Sequence, residues 1–460
     1  MVCNMTVQLD NLKLLLPQFD VSGPRYTSYP TANLFVEQPM DEPFQAVWDE
    51  TDPTAPISIY VHVPFCDTVC FYCACNKIHT ANRRQATYFV EALQREIALT
   101  AQRIGRRRVT QLHFGGGTPT YLDDTLLQDI FDGLRAHFDL SEAEDRDFSI
   151  EIDPRTVDEE RISNLARLGF NRMSLGVQDF NHDVQVAINR LQADELIANA
   201  VKWGRENGFV SINFDLIYGL PHQSVEGFRN TLSKTIELSP DRISLYAYAH
   251  LPERFKVQRQ IDVATLPTAT LKISLFLLAT EMLQAAGYCH LGMDHFVKPE
   301  DDLYQAQGAG RLTRNFMGYS TGGDLPLLGF GPSAIGQAGN CYWQNHKTLL
   351  DYFKAVDAEQ LPFAKGYVLS DEDLIRRWVV QSLMCDLGVD TEAFEQEFSR
   401  RFYAHFAYAM PELQSFRVDR LVTTEHSRFR VTELGRFFLR NICMLFDQHL
   451  NIEHQFSKTV

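Results

Sequence analysis

Four cysteines fall within ten residues, as Cys66-x3-Cys70-x2-Cys73-x-Cys75, directly after the apolar run ISIYVHV and the pair Pro64-Phe65. Thiolates are soft ligands that suit both zinc and iron–sulfur centres. Three in one loop can each hold one iron of a cubane cluster, leaving the fourth iron open to chelation by a small molecule. Zinc is the rival reading, but a zinc site pairs such cysteines with a second Cys or His pair further along, and none stands out. Cys75 fits a fourth ligand, a hydrogen-atom or proton donor, or an inert neighbour. A second motif, Gly115-Gly116-Gly117-Thr118-Pro119, follows the run VTQLHF. Its glycines allow close backbone approach and would leave amide N–H groups free for a carboxylate or a sugar, with Thr118 capping the next helix. Glu151, Gln178, Arg190 and Asp215 lie at or near the ends of later β-rich runs. Singly each reads as a cap or an ion-pair partner. As a set they suit ribose hydroxyls, an adenine edge and a carboxylate.

These groups need a scaffold that brings them to one mouth. From residue 57 to about 250 the chain repeats a short β-rich run, a loop and a helix, with runs beginning near Ile57, Val109, Phe148, Asn171, Ser211 and Arg242. Strands alternating with helices imply parallel βαβ units with right-handed crossovers. Polar residues recur at period two: Ser58, Tyr60 and His62; Ser149, Glu151 and Asp153; Arg172, Ser174 and Gln178; Ser211, Asn213 and Asp215. A closed eight-unit barrel fills its interior with apolar side chains. A polar concave face on six strands therefore predicts an α/β fold with an incomplete, open parallel (β/α)6 TIM-like barrel, its chemistry at the strands' C-terminal ends. A doubly wound sheet with solvated strand ends is the alternative.

Three domains are expected: residues 1–56, an N-terminal arm containing SGPRYTSYPTA; 57–365, the barrel and its extension; and 366–460, mainly helical. The last carries a β-ribbon near Phe416 to Val431 and a final helix from about Thr432. Helices plus a ribbon also fit a winged helix, but 43 basic against 59 acidic residues, a net charge of −16, argue against nucleic acid or an anionic membrane as partner. Any anionic ligand must meet a local basic pocket. The 45% apolar content supports a globular core. Nine cysteines in 460 residues are too few for a disulfide scaffold. No apolar stretch approaches the roughly 18 residues of a membrane span, and no secretory signal stands out. A cytoplasmic protein is expected.

The three-cysteine spacing after the first strand of a βα barrel, joined to the glycine motif after the second, resembles the signature of radical S-adenosylmethionine enzymes. In that family the open iron binds the cofactor's methionine moiety, and one electron cleaves its sulfonium to a 5′-deoxyadenosyl radical. More narrowly, SGPRYTSYPTA, YVHVPFC, CACNKI, GGGTPTYL, SIEIDPR, GFNRMSLGVQDFN, NFDLIYGLP, YAHLPE, GMDHF, RNFMGYST, GFGPSAIG and RNICMLFD resemble, in order and over nearly the whole chain, the oxygen-independent coproporphyrinogen III oxidase family. The chain departs from it at Ala74, where the family commonly has Gly.

The resemblance implies conversion of two propionates of coproporphyrinogen III to vinyl groups, giving protoporphyrinogen IX and carbon dioxide. It also implies a [4Fe-4S] cluster on Cys66, Cys70 and Cys73, and two molecules of S-adenosylmethionine. Tyr60, Gly116, Glu151 and Ile335 match contacts of the first molecule. Tyr72, Gly117, Thr118, Gln178, Arg190, Asp215 and Ala249 match contacts of the second. Cys75 matches a cysteine needed for activity without being a cluster ligand. The expected partners are the porphyrinogen and a separate electron donor and acceptor, with the chain a monomer. Arg25, Arg311 and Arg314 are candidates for the propionates, and His62 and His295 for donors near the cluster. Within the superfamily the rivals are a haem chaperone and another tetrapyrrole-acting radical enzyme. The residues at Ala74-Cys75-Asn76-Lys77 and the long N-terminal arm favour the decarboxylase over the chaperone.

Overall fold

The structure, a computed structural model, describes residues 9–450 and Lys458. The chain divides into two compact units, one of residues 35–275 and 324–368, the other of 9–34, 276–323, 369–450 and Lys458.

The first unit carries the six expected strands, β1 (Ile57–Val63), β2 (Arg108–Gly116), β3 (Asp147–Ile152), β4 (Arg172–Gln178), β5 (Ser211–Tyr218) and β6 (Arg242–Ala247). They pair in parallel in simple chain order. A doubly wound sheet reverses its strand order after its first few strands, whereas these six run on in one direction from β1. The intervening helices are α1 (Arg83–Ile104), α2 (Asp124–His137), α3 (Glu159–Leu168), α4 (Asp194–Glu206) and α5 (Val225–Leu238). Their ends follow local chemistry: Asp123, Asp158 and Ser224 cap α2, α3 and α5 by accepting backbone N–H bonds, and α3 stops at Gly169, whose φ of +120° a side chain would resist.

The alternation read from the sequence sets the layers. Ile59, Val61, Leu112, Phe114, Ile150, Leu175, Ile212 and Phe214 are buried against the helices. Phe114 packs edge-on against Phe170 at 5.2 Å and beside Phe131 of α2 at 5.6 Å, which seats that helix on the sheet. Each such side chain contributes roughly 1.5–3 kcal/mol by leaving water.

The far edge of β1 is taken by β7 (Leu327–Phe330), also parallel, followed by the antiparallel strands β8 (Ile335–Ala338), β9 (Cys341–Asn345) and β10 (Phe363–Val368). With β7 in that place, β1 pairs with β7 and β2 and leaves no edge for β6. The barrel is therefore held open. Behind this junction the buried Glu96 of α1 accepts hydrogen bonds from Gly331 N–H (2.8 Å), Asn345 Nδ2 (2.6 Å) and Tyr352 Oη (2.5 Å), the last on α6 (Leu349–Asp357). Burial pushes its carboxyl up to about 7.

In the second unit, α7 (Asp371–Asp386) begins with a capping box between Ser370 and Asp373. The expected ribbon is confined to Val422–Glu425 and Arg428–Val431 and gains a third strand, Gly388–Asp390, on Arg428–Val431. Phe416, expected at its start, lies instead in the helix Met410–Val418, where Leu413 and Phe416 share a buried face at helical spacing. Among the described residues the last helix spans Leu439–Met444, after a 3-10 turn at Gly435–Phe438, and so starts later than expected. The core of this unit joins Leu12, Phe19, Tyr26 and Tyr29 to Leu291, Met293, Val379, Leu383, Phe402 and Phe438. Arg440 donates to the carbonyls of Gly23 and Pro24 and ties down the glycine and proline of SGPRYTSYPTA.

The arm is not uniformly extended: Leu9–Phe19 and Asp41–Glu50 are helices, one in each unit. Residues 276–323, grouped in the sequence reading with the barrel's extension, fall in the same unit as the C-terminal helices.

Candidate active site

At the C-terminal ends of β1 to β5 lies a cavity of about 640 Å³, inside the range of roughly 300–1,000 Å³ typical of cofactor pockets. Cys66, Cys70, Cys73 and Cys75 line it together with Tyr72, Gly116, Gly117, Thr118, Glu151, Gln178, Arg190 and Asp215. Residues scattered over 150 positions thus share one wall because each follows a strand of the same sheet.

The cysteine loop leaves β1 and is braced at both ends. Ile78 N–H donates to the Pro64 carbonyl at 2.6 Å, and His62 Nε2 meets the Asn76 carbonyl at 2.8 Å. Because that partner only accepts, Nε2 carries the proton and Nδ1 accepts from Tyr60 Oη at 3.0 Å. Burial lowers the His62 pKa and keeps the ring neutral. His62 is thus a brace between strand and loop, which is the bland of its two readings.

Two of the cysteine sulfurs accept from neighbouring side chains at 3.5 Å: Cys66 from Thr118 Oγ1 and Cys70 from Arg190 Nη1. Lys77 Nζ donates to the Cys73 carbonyl at 3.1 Å. Burial pushes the Cys66 thiol up to about 11, whereas hydrogen bonding by Cys75 pulls Cys73 down to about 6. Donors aimed at sulfur are what cluster thiolates take.

The glycine motif works differently from its sequence reading. Gly116 N–H donates to Glu151 Oε2 at 3.1 Å, Gly117 N–H to the Val63 carbonyl at 2.7 Å, and Thr118 N–H to the Phe65 carbonyl at 2.8 Å. The amides are spent on holding the turn to β1 and β3. Thr118 makes no side-chain cap, its hydroxyl being turned to Cys66. Gly116 is required on two counts: its φ is +117°, and a Cβ there would lie 2.7 Å from the His62 ring.

Across the mouth, Asp153 accepts from Arg155 (Nη2 at 2.7 Å) and from Arg190 (Nη1 at 3.1 Å), while Arg190 Nη2 donates to the Gly176 carbonyl at 2.7 Å. Burial works against the Asp153 charge, but the two guanidinium groups more than offset it and hold the carboxyl below its ordinary range. Asp215 accepts from Ser174 Oγ at 2.9 Å and Asn213 Nδ2 at 3.0 Å. Burial and the neighbouring Glu151 charge push it up to about 6. Gln178 ends β4 with φ +67°, in the left-handed region.

Three of the expected site residues stand outside the lining. Tyr60 stacks on His113, ring centroids 5.8 Å apart. The Ala249 carbonyl accepts from Gln258 Nε2 at 3.2 Å, and the same amide donates to the Tyr72 carbonyl at 3.0 Å. Ile335 opens β8 opposite Gln344. The candidate propionate groups lie in the other unit: Arg25 pairs with Asp294 at 3.8 Å, Arg311 is exposed, and Arg314 is buried over the Tyr319 ring; His295, the other candidate donor, belongs to that unit as well and meets the same ring edge-on. Lys77 and Arg155 line the cavity without having been singled out, as does Asp67. His113, bonded to Ser149 Oγ at 2.7 Å, was legible by period two, since it stands between Leu112 and Phe114 and two positions from Gln111.

Comparison with known proteins agrees with this geometry. Residues 60–234 match the radical SAM superfamily, and residues 369–438 match the HemN C-terminal domain. The oxygen-independent coproporphyrinogen III oxidase of Pseudomonas aeruginosa is 44% identical over 95% of this chain and 95% of its own length. That of Escherichia coli is 43% identical over 98% and 99%. The solved structure of the Escherichia coli protein, described as a radical SAM enzyme, superposes with a TM-score of 0.90 over 93% of this chain and 98% of that one. An open barrel with its cysteine loop after β1, matched along nearly its whole length by these relatives, places the chain in the family of oxygen-independent coproporphyrinogen III oxidases, within the radical SAM superfamily.

Proposed function

We propose that this chain oxidatively decarboxylates two propionate side chains of coproporphyrinogen III, yielding protoporphyrinogen IX. Each propionate gives up a hydrogen atom from its β-carbon, a molecule of carbon dioxide and one electron, and becomes a vinyl group. The observation that carries the reading is the gathering of Cys66, Cys70 and Cys73 on one cavity wall with Glu151, Gln178 and Asp215 facing the same space. When bound, a [4Fe-4S] cluster and S-adenosylmethionine supply the one-electron chemistry that removes the hydrogen atom.

The chain's own residues fit the holding of that group. Cys66, Cys70 and Cys73 are the ligands, and Thr118 and Arg190 donate to two of the sulfurs. Gly116 and Glu151 form the side of the first S-adenosylmethionine, with Tyr60 and Ile335 assigned to it by the family resemblance from outside the lining. Tyr72, Gly117, Thr118, Gln178, Arg190, Asp215 and Ala249 serve a second molecule, which two successive decarboxylations make sensible. Glu151 does two things: it faces the first S-adenosylmethionine, and one of its carboxylate oxygens takes the Gly116 N–H and locks the glycine turn. Cys75, exposed and lining the cavity, acts on the substrate side and is not a ligand. The reading further expects a cytoplasmic monomer fed by a separate electron donor and drained by a separate acceptor. Among the described residues, no helix is long and apolar enough to cross a membrane.

The test is anaerobic turnover of the reconstituted protein with coproporphyrinogen III, S-adenosylmethionine, a low-potential reductant and an electron acceptor, followed by mass spectrometry of the tetrapyrrole. Loss of two carbon dioxides is expected from the unaltered chain, and none from Cys75→Ser at unchanged iron content. A reconstituted protein that leaves the porphyrinogen intact would overturn the activity. Iron lost in Cys75→Ser would overturn the non-ligand role.

A further inference from the structure

Gln178 owes its shape to residues that do not line the cavity. The chain turns over three residues at the end of β4: Asp179 N–H donates to the Val177 carbonyl at 2.8 Å, and Gln178 sits at the centre with φ +67°. This is a γ-turn of the positive-φ kind, rare and strained for a residue with a side chain. The β4–β5 register slips at the same place, from Gly176 opposite Asp215 to Gln178 opposite Leu216. The turn folds the Gln178 amide back toward Gly176. A Cβ at Gly176 would lie 2.9 Å from Gln178 Nε2 and 2.7 Å from Arg190 Nη2.

What over-determines the turn is a buried polar network. The Asp179 side chain, 1% exposed, accepts from Thr231 Oγ1 of α5 (2.6 Å), Gln223 Nε2 (2.7 Å) and Asn181 N–H (2.7 Å). Its carbonyl accepts from Gln185 Nε2 at 2.9 Å. Gln223 spends its remaining capacity on the end of β5, accepting from Gly219 and Leu220 N–H at 2.6 and 2.9 Å and donating to the Ile217 carbonyl at 2.8 Å. Gln192 Nε2 holds the Val177 carbonyl at 2.6 Å. A buried, fully bonded carboxylate of this kind fixes geometry because each partner lost leaves a desolvated group behind.

We propose that Asp179 is a positioning residue, which clamps the ends of β4 and β5 together through Gln223 and Thr231 and thereby holds the Gln178 amide where the second S-adenosylmethionine binds. The inference rests on the reading of Gln178 as a contact of that molecule. It assigns Asp179 no contact of its own with cofactor or substrate.

A double-mutant cycle separates positioning through Gln178 from a general loss of structure. In reconstituted holoenzyme, equilibrium dialysis with S-adenosylmethionine gives stoichiometry and dissociation constants for the unaltered chain, Asp179→Asn, Gln178→Ala and the pair. Asp179→Asn is expected to weaken one molecule's binding by about ten-fold, the scale of one hydrogen bond to a charged group. In the Gln178→Ala background it should change binding less than about two-fold. The same loss in both backgrounds, or no loss in either, overturns the proposal. Thr231→Val removes one donor without changing shape and runs the same cycle if Asp179→Asn does not fold, with a smaller loss that again needs Gln178. An unaltered chain that binds a single molecule would overturn the two-molecule reading. The cycle on that one molecule still decides whether Asp179 acts through Gln178.

Discussion

Asp215 is a cavity carboxyl whose titration falls close to working pH. Its carboxyl is pushed up to about 6 by burial and by the charge of Glu151, and it meets the hydroxyl of Ser174 and the amide of Asn213 in its ionised form. A carboxylate that must accept from a ribose or an ammonium group does so only when ionised. Binding of S-adenosylmethionine is therefore expected to be flat well above pH 6 and to weaken as pH falls below it, by up to about ten-fold per unit. Asp215→Asn should remove that dependence. Dissociation constants measured from pH 5.5 to 8 check it, and an unchanged profile in the variant would sink the assignment. Glu151 and Asp215 were readable in advance because strand parity exposes them: each follows polar residues at period two. Lys77 and Arg155 were not, because they come from loops, where no period tells which way a side chain points. The roles of the glycine amides were hidden for a related reason, as their partners, the Glu151 carboxylate and the Val63 and Phe65 carbonyls, belong to distant stretches of the chain.

At the level of elements, Glu96 shows how one buried carboxyl joins a helix to the strands that keep the barrel open. Its ordinary pKa is 4.5 and its folded value about 7. Between these the native state keeps a proton that the unfolded chain has released. Stability is fully present below pH 4.5 and falls as pH rises toward 7, by on the order of 3 kcal/mol in all. Glu96→Gln has no proton to lose, so its urea midpoint should change less than that of the unaltered chain between pH 5 and pH 8. Parallel pH slopes in the two proteins would rule the account out. The strands β1 to β6 were legible because each has one apolar and one polar face. The strands β7 to β9 were not: every residue from Leu327 to Phe330 and from Cys341 to Asn345 is buried, so no alternation marks them, and they are only four or five residues long. The helices at Leu9–Phe19 and Asp41–Glu50 did leave a signal, in Leu12, Leu16 and Phe19 and in Phe44, Val47 and Trp48, buried at helical spacing.

For the molecule as a whole, sequence order and spatial order part company. The second unit is assembled from three stretches, and its core needs side chains from each of them. Residues 369–460 made alone should therefore lack a cooperative unfolding transition by circular dichroism, since Leu12, Phe19, Leu291 and Met293 are missing from their core. A sharp two-state transition in that fragment would contradict this. The return of β7 to β1 raises the same matter in time. Ser58 pairs with Leu327, and 327 minus 58 is 269 residues. At translation rates of about 5–20 residues per second, β1 waits roughly 13–54 s on the ribosome with one hydrogen-bonding edge bare. An unpaired edge is a template for joining other chains. The feature that leaves room for a large substrate in the finished enzyme thus exposes the nascent chain to aggregation.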